Sequence, residues 1–473
     1  MDNHNHDRKV WLMRGADETL SLAYALAREI AGAGGRAYFA GGRVRDALRG
    51  VEDADADVDL EVYGLTPEIL RSILGQHGAV NAVGKSFGVL RLGGYGLEVS
   101  MPRRERATGR GHKDFDVSVD PFMPFSEACV RRDFTVNAML RDALTGEVID
   151  PYGGLDDIKA RILRHVRAET FAEDPLRAYR AARFAARFGY AVAPETVRLC
   201  ASMDLAPLSR ERVFAELAKA LTLASKPSLF FNALADMDQL GASFLEISRM
   251  RGVPQDPRHH PEGDVWVHTM GVLDQAARLR EQANEPLFYM LAALCHDIGK
   301  PDCTVIRDEA ERRISAVGHE DIGVELARTQ LHRLTNQNAL IDYVLNMVQM
   351  HMRPNRLAQS RSQLKKTRAM FDKSVNPNDL ILLSKADVLV TSQAERADEL
   401  EVFLYDRLDD YRKRMREPML NGRDLIAAGF VPGPGFSEWI ARARLFHMSG
   451  LTTDRVLRQL VSERRKRSEE NFT

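Results

Sequence analysis

The spacing of apolar residues changes several times in the first part of the chain, and each change indicates a new element. Residues 17–34 place apolar side chains every three or four positions, which predicts an amphipathic helix that ends at Ala-Gly-Ala-Gly-Gly. An apolar run from Tyr38 predicts a buried strand, which breaks at Gly41-Gly42 and continues into a short helical segment, VRDALRG. A second strand-like run, VDLEVYG, follows. These segments predict a small unit that mixes helix and strand.

The mixture continues for about eighty residues and then gives way to helices. TPEILRSIL has Thr66 as the N-cap and Pro67 at the first helical position, a pattern typical of a helix start, and GVLRLGG and GLEVSMPR predict two strands. Residues 102–120 have no apolar period and predict a basic loop between strands. EDPLRAYRAARFAARFGY then predicts a helix with Asp174 in its first turn, and helical patterns dominate from there to the end.

Composition and charge narrow the class of protein. The chain has 473 residues, of which 44% are hydrophobic and 28% charged, enough for about two to four domains. Its net charge is -1, so any nucleic-acid surface must come from local clusters of basic residues. The four cysteines show no Cys-x-x-Cys spacing, and no segment resembles a secretion signal or a membrane span. We therefore expect a cytoplasmic protein without disulfides and without a membrane partner.

Candidate chemistry first occurs at Asp57 and Asp59. Residues two apart on a strand point to the same face, so the two carboxylates would lie side by side. Such a pair is tolerated when a cation joins it, and Mg²⁺ binds carboxylates together with substrate phosphates. The upstream Gly41-Gly42 would let backbone N–H groups approach a phosphate. Together these features favour two-metal phosphoryl or nucleotidyl transfer, although Asp-x-Asp alone is more typical of an acidic, solvated loop.

Several motifs between residues 36 and 220 resemble those of one family. They are GG-x-VRD followed by DVDLEVYG, RRDFTVNA, EDPLR and SRERVF. In this order they are similar to the signature of the nucleotidyltransferase superfamily, in its branch of class II tRNA nucleotidyltransferases (CCA-adding enzymes) and bacterial poly(A) polymerases. The resemblance implies a small five-stranded, polymerase-β-like head that uses CTP and ATP on tRNA.

The resemblance also implies roles for single residues. Asp57, Asp59 and Glu98 would be the catalytic carboxylates, with Mg²⁺ held by the two aspartates. Asp174 and Arg177 would read the Watson–Crick edge of the incoming base. The implied nucleotide-binding residues are Gly41, Gly42, Arg45, Arg131, Arg132, Asp133, Asn137, Asp174, Arg177, Arg180 and Arg183. From the residues alone, Arg-Arg-Asp is also compatible with an ion-paired helix start, and the later arginines with a solvated helix face.

The histidines of the second half form a second candidate site. HHPEGDVWVHTM, LAALCHDIGKP, VGHED, QMHM and SKADVL occur in this order, which resembles the HD metal-dependent phosphohydrolase domain. Imidazole combined with carboxylate favours a divalent transition metal over Mg²⁺, and water bound to such a metal would attack a phosphoester. The implied ligands are His268, His296, Asp297 and Asp387, with His319 and His351 for a second metal position.

The tail contains P-x-x-x-G-x-D-L…G-x-x-P-G-P-x-F, which is similar to the C-terminal helices of HD-bearing tRNA nucleotidyltransferases. Two basic clusters in it are candidate contacts to RNA, although solvated helix ends explain them equally well. The clusters are Arg412, Lys413, Arg414 and Arg416, and Arg464, Arg465, Lys466 and Arg467.

We therefore predict an α+β protein with a polymerase-β-like nucleotidyltransferase head followed by an all-α neck, body and tail. Its predicted function is template-independent addition of CCA, or part of it, to tRNA 3′ ends from CTP and ATP. The predicted boundaries are 1–35 for an N-terminal helical extension, 36–150 for the head, 151–254 for the helical neck and base-recognition region, 255–395 for the HD domain and 396–473 for the RNA-binding tail.

Two alternatives remain open. The first is a poly(A) polymerase on the same scaffold, but that subgroup typically carries G-R-R-F-x-x-x-H after the catalytic strand, whereas this chain has VGKSFGVLRL at residues 83–92. This difference favours the tRNA enzyme, with CC-only or A-only addition still open. The second alternative is an HD phosphohydrolase whose head only binds RNA.

Overall fold

The computed structural model describes five segments of the chain. Within these segments, no helix is both long enough and apolar enough to span a membrane. The described segments are residues 16–51, 58–83, 89–107, 115–308 and 313–470. They form two compact units, of which the first spans the chain to Leu208 with Ala233–Met237 and the second spans Ser209–Asn232 with the residues from Asp238 onward.

The strands belong mainly to the first unit. They are β1 (Arg36–Ala40), β2 (Val58–Tyr63), β3 (Val80–Val83), β4 (Val89–Leu92), β5 (Leu97–Ser100), β6 (Arg103–Ala107), β7 (Phe115–Val119), β8 (Leu140–Asp142), β9 (Val148–Ile149), β10 (Ile162–Leu163), β11 (Ala191–Val192), β12 (Val305–Asp308) and β13 (Arg313–Ser315).

Helices occur in both units. The first helices along the chain are α1 (Ala16–Gly32), α2 (Gly42–Leu48), α3 (Pro67–Gly75), α4 (Phe125–Cys129), α5 (Gly154–Ala160), α6 (Ala168–Ala172), α7 (Leu176–Phe188) and α8 (Pro194–Ala201). The following helices are α9 (Arg210–Leu223), α10 (Ser228–Asp236), α11 (Leu240–Ser243), α12 (Leu245–Ser248), α13 (Val265–Leu279), α14 (Pro286–Cys295), α15 (Lys300–Cys303) and α16 (His319–Leu334). The last helices are α17 (Asn338–Met350), α18 (Met352–Gln359), α19 (Leu364–Lys373), α20 (Pro377–Val388), α21 (Ala397–Arg416), α22 (Gly422–Ala427), α23 (Phe436–Met448) and α24 (Thr453–Glu470). Short 3-10 helices lie at Thr135–Asn137, Arg280–Gln282 and Ala394–Arg396.

The first unit is built on a mixed sheet with the strand order β3-β4-β5-β2-β1-β8-β9. Strand β1, which lies between β2 and β8, is buried on both faces, which explains the continuous apolar run in the sequence. On one face Phe39 contacts Tyr24 of α1, with ring centroids 5.5 Å apart. On the other face Tyr38 packs against Tyr63 and Phe125. Of the predicted catalytic residues, Asp59 lies on β2, which pairs with β1, and Glu98 lies on β5 of the same sheet.

Two details of the head differ from the sequence-based expectation. The sheet has seven strands rather than five, because β8 and β9, which are only three and two residues long, extend the edge beyond β1. Residues 102–120 are not simply a loop, since β6 and β7 pair as an antiparallel hairpin. Charged residues along Arg103–Ala107 conceal the strand from a search for apolar alternation.

The second unit is helical except for the β12–β13 hairpin in the part of the chain that the structure describes. Its centre is α14, which is buried from Tyr289 to Cys295 and packs against α13, α17 and α20. His296 and Asp297 follow α14 directly. An apolar helix with core contacts on several sides thus carries the predicted metal-binding pair into the interior.

Candidate functional site

The head places two of the predicted carboxylates side by side. Asp59 on β2 and Glu98 on β5 are register partners in a parallel pair, so their side chains leave the same face of the sheet. Arg91 of β4 pairs with Glu98, with Nε 2.6 Å from Oε1. Asp57 lies outside the described residues. The predicted catalytic role of all three carboxylates stays a prediction, and their shared face is consistent with it for Asp59 and Glu98.

Gly41 lies beside Asp59 at the junction between β1 and α2. Its φ of 67° is in the left-handed region that favours glycine. A Cβ atom on Gly41 would lie 3.4 Å from Asp59 Oδ2 and 3.9 Å from Arg132 Nη1. A bare backbone, a carboxylate and a guanidinium therefore converge here, which is the chemistry that a metal-bound phosphate requires.

Arg132 is held by a residue that the sequence analysis did not single out. Its Nη2 donates to Glu61 Oε2 at 2.6 Å, and the Tyr63 hydroxyl donates to Glu61 Oε1 at 2.5 Å. Burial alone would lower the pKa of Arg132, but the negative charge of Glu61 raises it above its usual value. The ion pair with Glu61 thus holds the guanidinium next to Gly41.

The remaining head motifs join in one buried network. Arg45 forms a bidentate pair with Asp46 and donates to Asn137 Oδ1 at 2.7 Å. Asn137 Nδ2 donates to Asp133 Oδ1 at 2.9 Å, and Arg180 Nε donates to Asp133 Oδ2 at 2.8 Å. Burial would raise the pKa of Asp133, but Arg180 and Asn137 together lower it. Both carboxylate oxygens accept hydrogen bonds inside the head, so a nucleotide that binds to Asp133 would have to replace one of these donors.

The predicted base-reading pair lies near the start of α7 in an arrangement that differs from the expectation. Helix α7 begins at Leu176, so Asp174 precedes the helix instead of lying in its first turn, and its Oδ1 accepts from the Leu176 N–H at 3.2 Å. Arg177 donates to the carbonyls of Thr170 and Arg131 at 2.7 and 2.6 Å. Base reading by Arg177 therefore stays a prediction that requires the guanidinium to share or exchange these partners.

Two other predicted arginines have intramolecular partners too. Arg131 pairs with Glu173 at 2.6 Å. The guanidinium of Arg183 stacks on Phe184, 3.9 Å from the ring centroid. A carboxylate therefore holds Arg131 in place and an aromatic ring holds Arg183 in place.

The second candidate site is centred on Asp297, which is only 1% exposed. Its two carboxylate oxygens face two different pairs of histidines. Oδ2 lies 3.5 Å from His268 Nε2 and 3.3 Å from His296 Nε2. Oδ1 lies 3.3 Å from His319 Nε2 and 3.6 Å from His351 Nε2. A carboxylate in this position can bridge two metal ions.

Each pair of histidines forms a compact cluster of nitrogen atoms. The Nε2 atoms of His268 and His296 are 3.4 Å apart, and those of His319 and His351 are 3.2 Å apart. Asp387 joins the first pair, with Oδ1 3.1 Å from His268 Nε2. The structure therefore brings together all six predicted HD ligands, and their predicted division between two metal positions matches the two clusters.

In each ring the hydrogen bond made by Nδ1 determines which nitrogen of the neutral imidazole carries the proton. Nδ1 of His296, His319 and His351 donates at 2.7–2.8 Å to the carbonyl of the residue three positions earlier, and a carbonyl can only accept. His268 instead donates from Nδ1 to Glu262 Oε1 at 2.7 Å. A neutral ring in this tautomer presents the lone pair of Nε2 to the cluster, as a metal ligand requires.

Glu262 and Lys300 are members of this site that the sequence analysis missed. Glu262 also accepts from His260 Nδ1 at 2.9 Å. Burial would raise the pKa of Glu262, but the hydrogen bonds from His260 and His268 lower it to about 2. Lys300 Nζ lies 2.6 Å from Asp297 Oδ2. Two features of the sequence could have indicated these residues. Glu262 lies in a His-x-Glu segment before His268, and Lys300 lies three residues after Asp297.

Gly299 permits the close approach of the two ligand-bearing segments. A Cβ atom there would collide with the carbonyl oxygen of His319 and lie 2.6 Å from the amide nitrogen of Gly323. The backbone after His296-Asp297 is thus in direct contact with the start of α16, which carries His319. The site opens to solvent through a cavity of about 670 Å³, whose lining includes Asp297, Lys300, His319, Asp387 and His260.

Comparison with known proteins agrees with this division into two sites. Residues 37–164 match the family model described as the poly A polymerase head domain, and residues 265–392 match the HD domain. The multifunctional CCA protein of Actinobacillus pleuropneumoniae serotype 5b is 38% identical over 333 residues, which cover 69% of this chain and 77% of that protein. The multifunctional CCA protein of Xanthomonas oryzae pv. oryzae is 35% identical over 427 residues, covering 86% and 97%. This chain belongs to the multifunctional CCA protein family.

Solved structures of CCA-adding enzymes share the fold. The enzyme of Bacillus stearothermophilus in complex with CTP matches with a TM-score of 0.64 at 21% identity, covering 97% of this chain and 100% of that one. The Thermotoga maritima enzyme complexed with tRNA-CCA matches with a TM-score of 0.61 at 19% identity, covering 95% and 98%. The predicted fold class is thus confirmed, and membership of the multifunctional CCA protein family confirms the predicted family and enzyme class.

The basic clusters of the tail are used differently from the expectation. Arg414 is buried and donates to the carbonyls of His447 and Leu451 at 2.9 and 2.5 Å, so its prediction as an RNA contact is wrong. Arg464 donates to the Gly429 carbonyl, and Arg467 pairs with Glu438 at 2.7 Å. The exposed basic residues of these clusters are Arg412, Lys413, Arg416, Arg465, Lys466 and Arg467.

Proposed function

We propose that this protein adds CCA, or part of it, to the 3′ end of tRNA from CTP and ATP. The observation that carries the proposal is the convergence of Asp59, Glu98, the Gly41 backbone and Arg132 on one face of the head. Membership of the multifunctional CCA protein family and the CTP and tRNA bound by its structural relatives support the substrates. The same function places the protein in the cytoplasm.

Asp57 and Asp59 would hold Mg²⁺, with Glu98 as a further carboxylate. Paired carboxylates suit Mg²⁺ because it prefers oxygen ligands and shares them with substrate phosphates. Two such ions would lower the pKa of the RNA 3′-hydroxyl and offset charge on the leaving pyrophosphate. Arg132 and Arg131 would contact triphosphate oxygens, and Gly41 would admit them close to the backbone.

The extent of addition separates this function from poly(A) synthesis. A tRNA lacking its 3′ CCA is incubated with CTP alone, ATP alone or both, and the products are sequenced. We expect growth to stop after three additions with both nucleotides. Extended growth with ATP alone would identify a poly(A) polymerase, and no incorporation at all would leave an HD hydrolase with an RNA-binding head.

Base selection is expected to depend on Asp174. A carboxylate accepts from the exocyclic amine of cytosine or adenine but faces a carbonyl in uracil and guanine. Replacing Asp174 with alanine should therefore reduce the ratio of kcat/KM for CTP to that for UTP roughly tenfold. The measurement is kcat/KM for all four nucleotides. Glu169→Ala, an exposed carboxylate on nearby α6, is the control, and an unchanged ratio in Asp174→Ala would place base reading elsewhere.

We further propose that the HD site is a metal-dependent phosphohydrolase with a divalent transition metal. The observation that carries it is the pair of clusters on the two oxygens of Asp297, since imidazole nitrogens with carboxylates suit such metals. A bound metal would supply an acidic water as nucleophile. The adjoining cavity is roomy enough for the terminal nucleotide of an RNA, and phosphomonoesters or 2′,3′-cyclic phosphates at RNA ends are the expected substrates.

The exposed basic residues of the tail are expected to contact tRNA phosphates. Lys413→Ala combined with Arg416→Ala should weaken tRNA binding a few-fold and reduce the slope of log Kd against log salt by about 1 to 2, because each contact releases counterions. Binding titrations at several salt concentrations test this. Lys226→Ala, an exposed lysine of the same unit, should leave the slope unchanged. If the double variant keeps the wild-type slope, Lys413 and Arg416 do not contact the RNA.

A further inference from the structure

Glu262 makes one side of the HD centre chemically different from the other. Among the four clustered histidines, His296, His319 and His351 donate Nδ1–H to neutral backbone carbonyls, whereas His268 donates to a carboxylate at 2.7 Å. A carboxylate acceptor increases the electron density on the imidazole and so strengthens its other nitrogen as a ligand. The strength of His268 Nε2 as a metal ligand therefore depends on a single side chain, that of Glu262.

The carboxylate is fixed with little freedom to move. Its Oε1 accepts from both His268 and His260, whose rings meet edge to face with centroids 4.8 Å apart. Its Oε2 is buried and has no hydrogen-bond partner among the described residues. Burying an anionic oxygen without a hydrogen-bond partner lowers the free energy of unfolding. A contribution to stability alone therefore does not explain a glutamate at position 262.

We propose that Glu262 is a positioning residue that selectively strengthens metal binding at the His268, His296, Asp297 and Asp387 position. This inference rests on the proposed metal centre of the HD domain. Glu262 fixes the ring of His268 and its tautomer, so that Nε2 meets the metal without reorganisation. Within the described segments, no carboxylate makes such a hydrogen bond to His319 or His351: Glu320 Oε2 is 3.6 Å from His319 Nδ1, which already donates to Ala316 at 2.7 Å.

A nearby cation makes this contribution more important. Lys300 Nζ lies 2.6 Å from Asp297 Oδ2, the oxygen that faces His268 and His296. Its positive charge weakens this oxygen as a metal ligand and repels a metal ion. The negative charge of Glu262 lies on the opposite side of His268 and acts against this repulsion. Removal of Glu262 should therefore affect the His268 position and leave the His319 position unaffected.

Metal titration tests the inference without any assay of activity. The metal-free full-length protein is titrated with Co²⁺, and the d–d absorption bands are followed for the wild type and for Asp387→Asn and His351→Asn. Each of these two variants should remove one binding step and thereby assign it to one side of the centre. Glu262→Gln should then raise the Kd of the step that Asp387→Asn removes by about 10- to 100-fold and leave the other step within twofold.

Two further variants protect the interpretation. Glu320→Gln, the matched carboxylate on the other side, should shift neither step more than twofold. Glu262→Ala removes the acceptor of His268 altogether and should shift the Asp387-dependent step at least as far in the same direction, so it takes the place of Glu262→Gln if that variant does not fold. If the wild type binds no Co²⁺, the proposed metal centre is wrong. If both steps are assigned but Glu262→Gln shifts neither or both equally, only the role of Glu262 is wrong.

Discussion

Replacement of Asp59 by alanine should reduce incorporation of CTP and ATP into tRNA lacking CCA by about a thousandfold or more, which corresponds to about 4 kcal/mol of activation free energy. Asp59 and Glu98 are register partners on one face, and Asp59 Oδ2 adjoins the open backbone of Gly41. Loss of this carboxylate would remove one of the proposed metal ligands. The measurement is single-turnover addition at saturating nucleotide.

The control for Asp59→Ala is Asp156→Asn, whose side chain is 87% exposed in the same unit. It should retain full activity, and both variants should keep the far-ultraviolet circular dichroism and the thermal unfolding of the wild type. The outcome that contradicts the two-metal proposal is a folded Asp59→Ala protein with more than a few per cent of wild-type addition.

Replacement of Asp297 by alanine should abolish phosphohydrolase activity, by about a thousandfold or more, while nucleotide addition continues at the wild-type rate. Asp297 supplies an oxygen to each of the two histidine clusters, so its removal disrupts both metal positions at once. Addition should persist because its carboxylates belong to the other unit. Hydrolysis of a 2′,3′-cyclic nucleotide and tRNA addition are measured on the same preparation.

The controls for this variant address folding. Removal of Asp297 leaves the buried ammonium of Lys300 without its ion-pair partner, which should lower the free energy of unfolding by about 3 kcal/mol. Asp297→Asn keeps the volume and an acceptor oxygen but removes the charge, and should lose hydrolysis with a smaller loss of stability. Glu325→Gln, 75% exposed on α16, should change nothing. Loss of both activities in a folded Asp297→Asn protein would rule out independent sites.

The sequence was most informative where a site residue belongs to a short local pattern. His296 and Asp297 are adjacent at the end of an apolar helix, and the other four predicted ligands each occur in a recognisable short segment, so the sequence could indicate all six residues that the structure brings together. Glu262 was missed because its role depends on a hydrogen bond to a ring that becomes visible only when α13 is folded. Glu61 was missed for a related reason, since its partner Arg132 is 71 residues away.

Local patterns were least informative where tertiary contacts redirect a side chain. Arg414 lies in a run of basic residues, but its guanidinium turns inward to two carbonyls near the end of α23. Arg177 has the helical spacing expected of a partner for Asp174, yet it donates to the backbone carbonyls of Thr170 and Arg131. In both cases the sequence contains the donor, but only the folded chain shows which backbone carbonyls accept from it.

The close backbone contact at Gly299 can distinguish family members that keep the HD centre from members that have lost it. Even a methyl group there would collide with the backbone at the start of α16, so selection should preserve glycine for as long as the HD centre must keep its shape. A relative that has lost its metal ligands is released from this constraint. In an alignment, substitution at position 299 should therefore accompany loss of the proposed ligands, and should mark lineages in which the proposed HD activity has been lost while nucleotide addition persists.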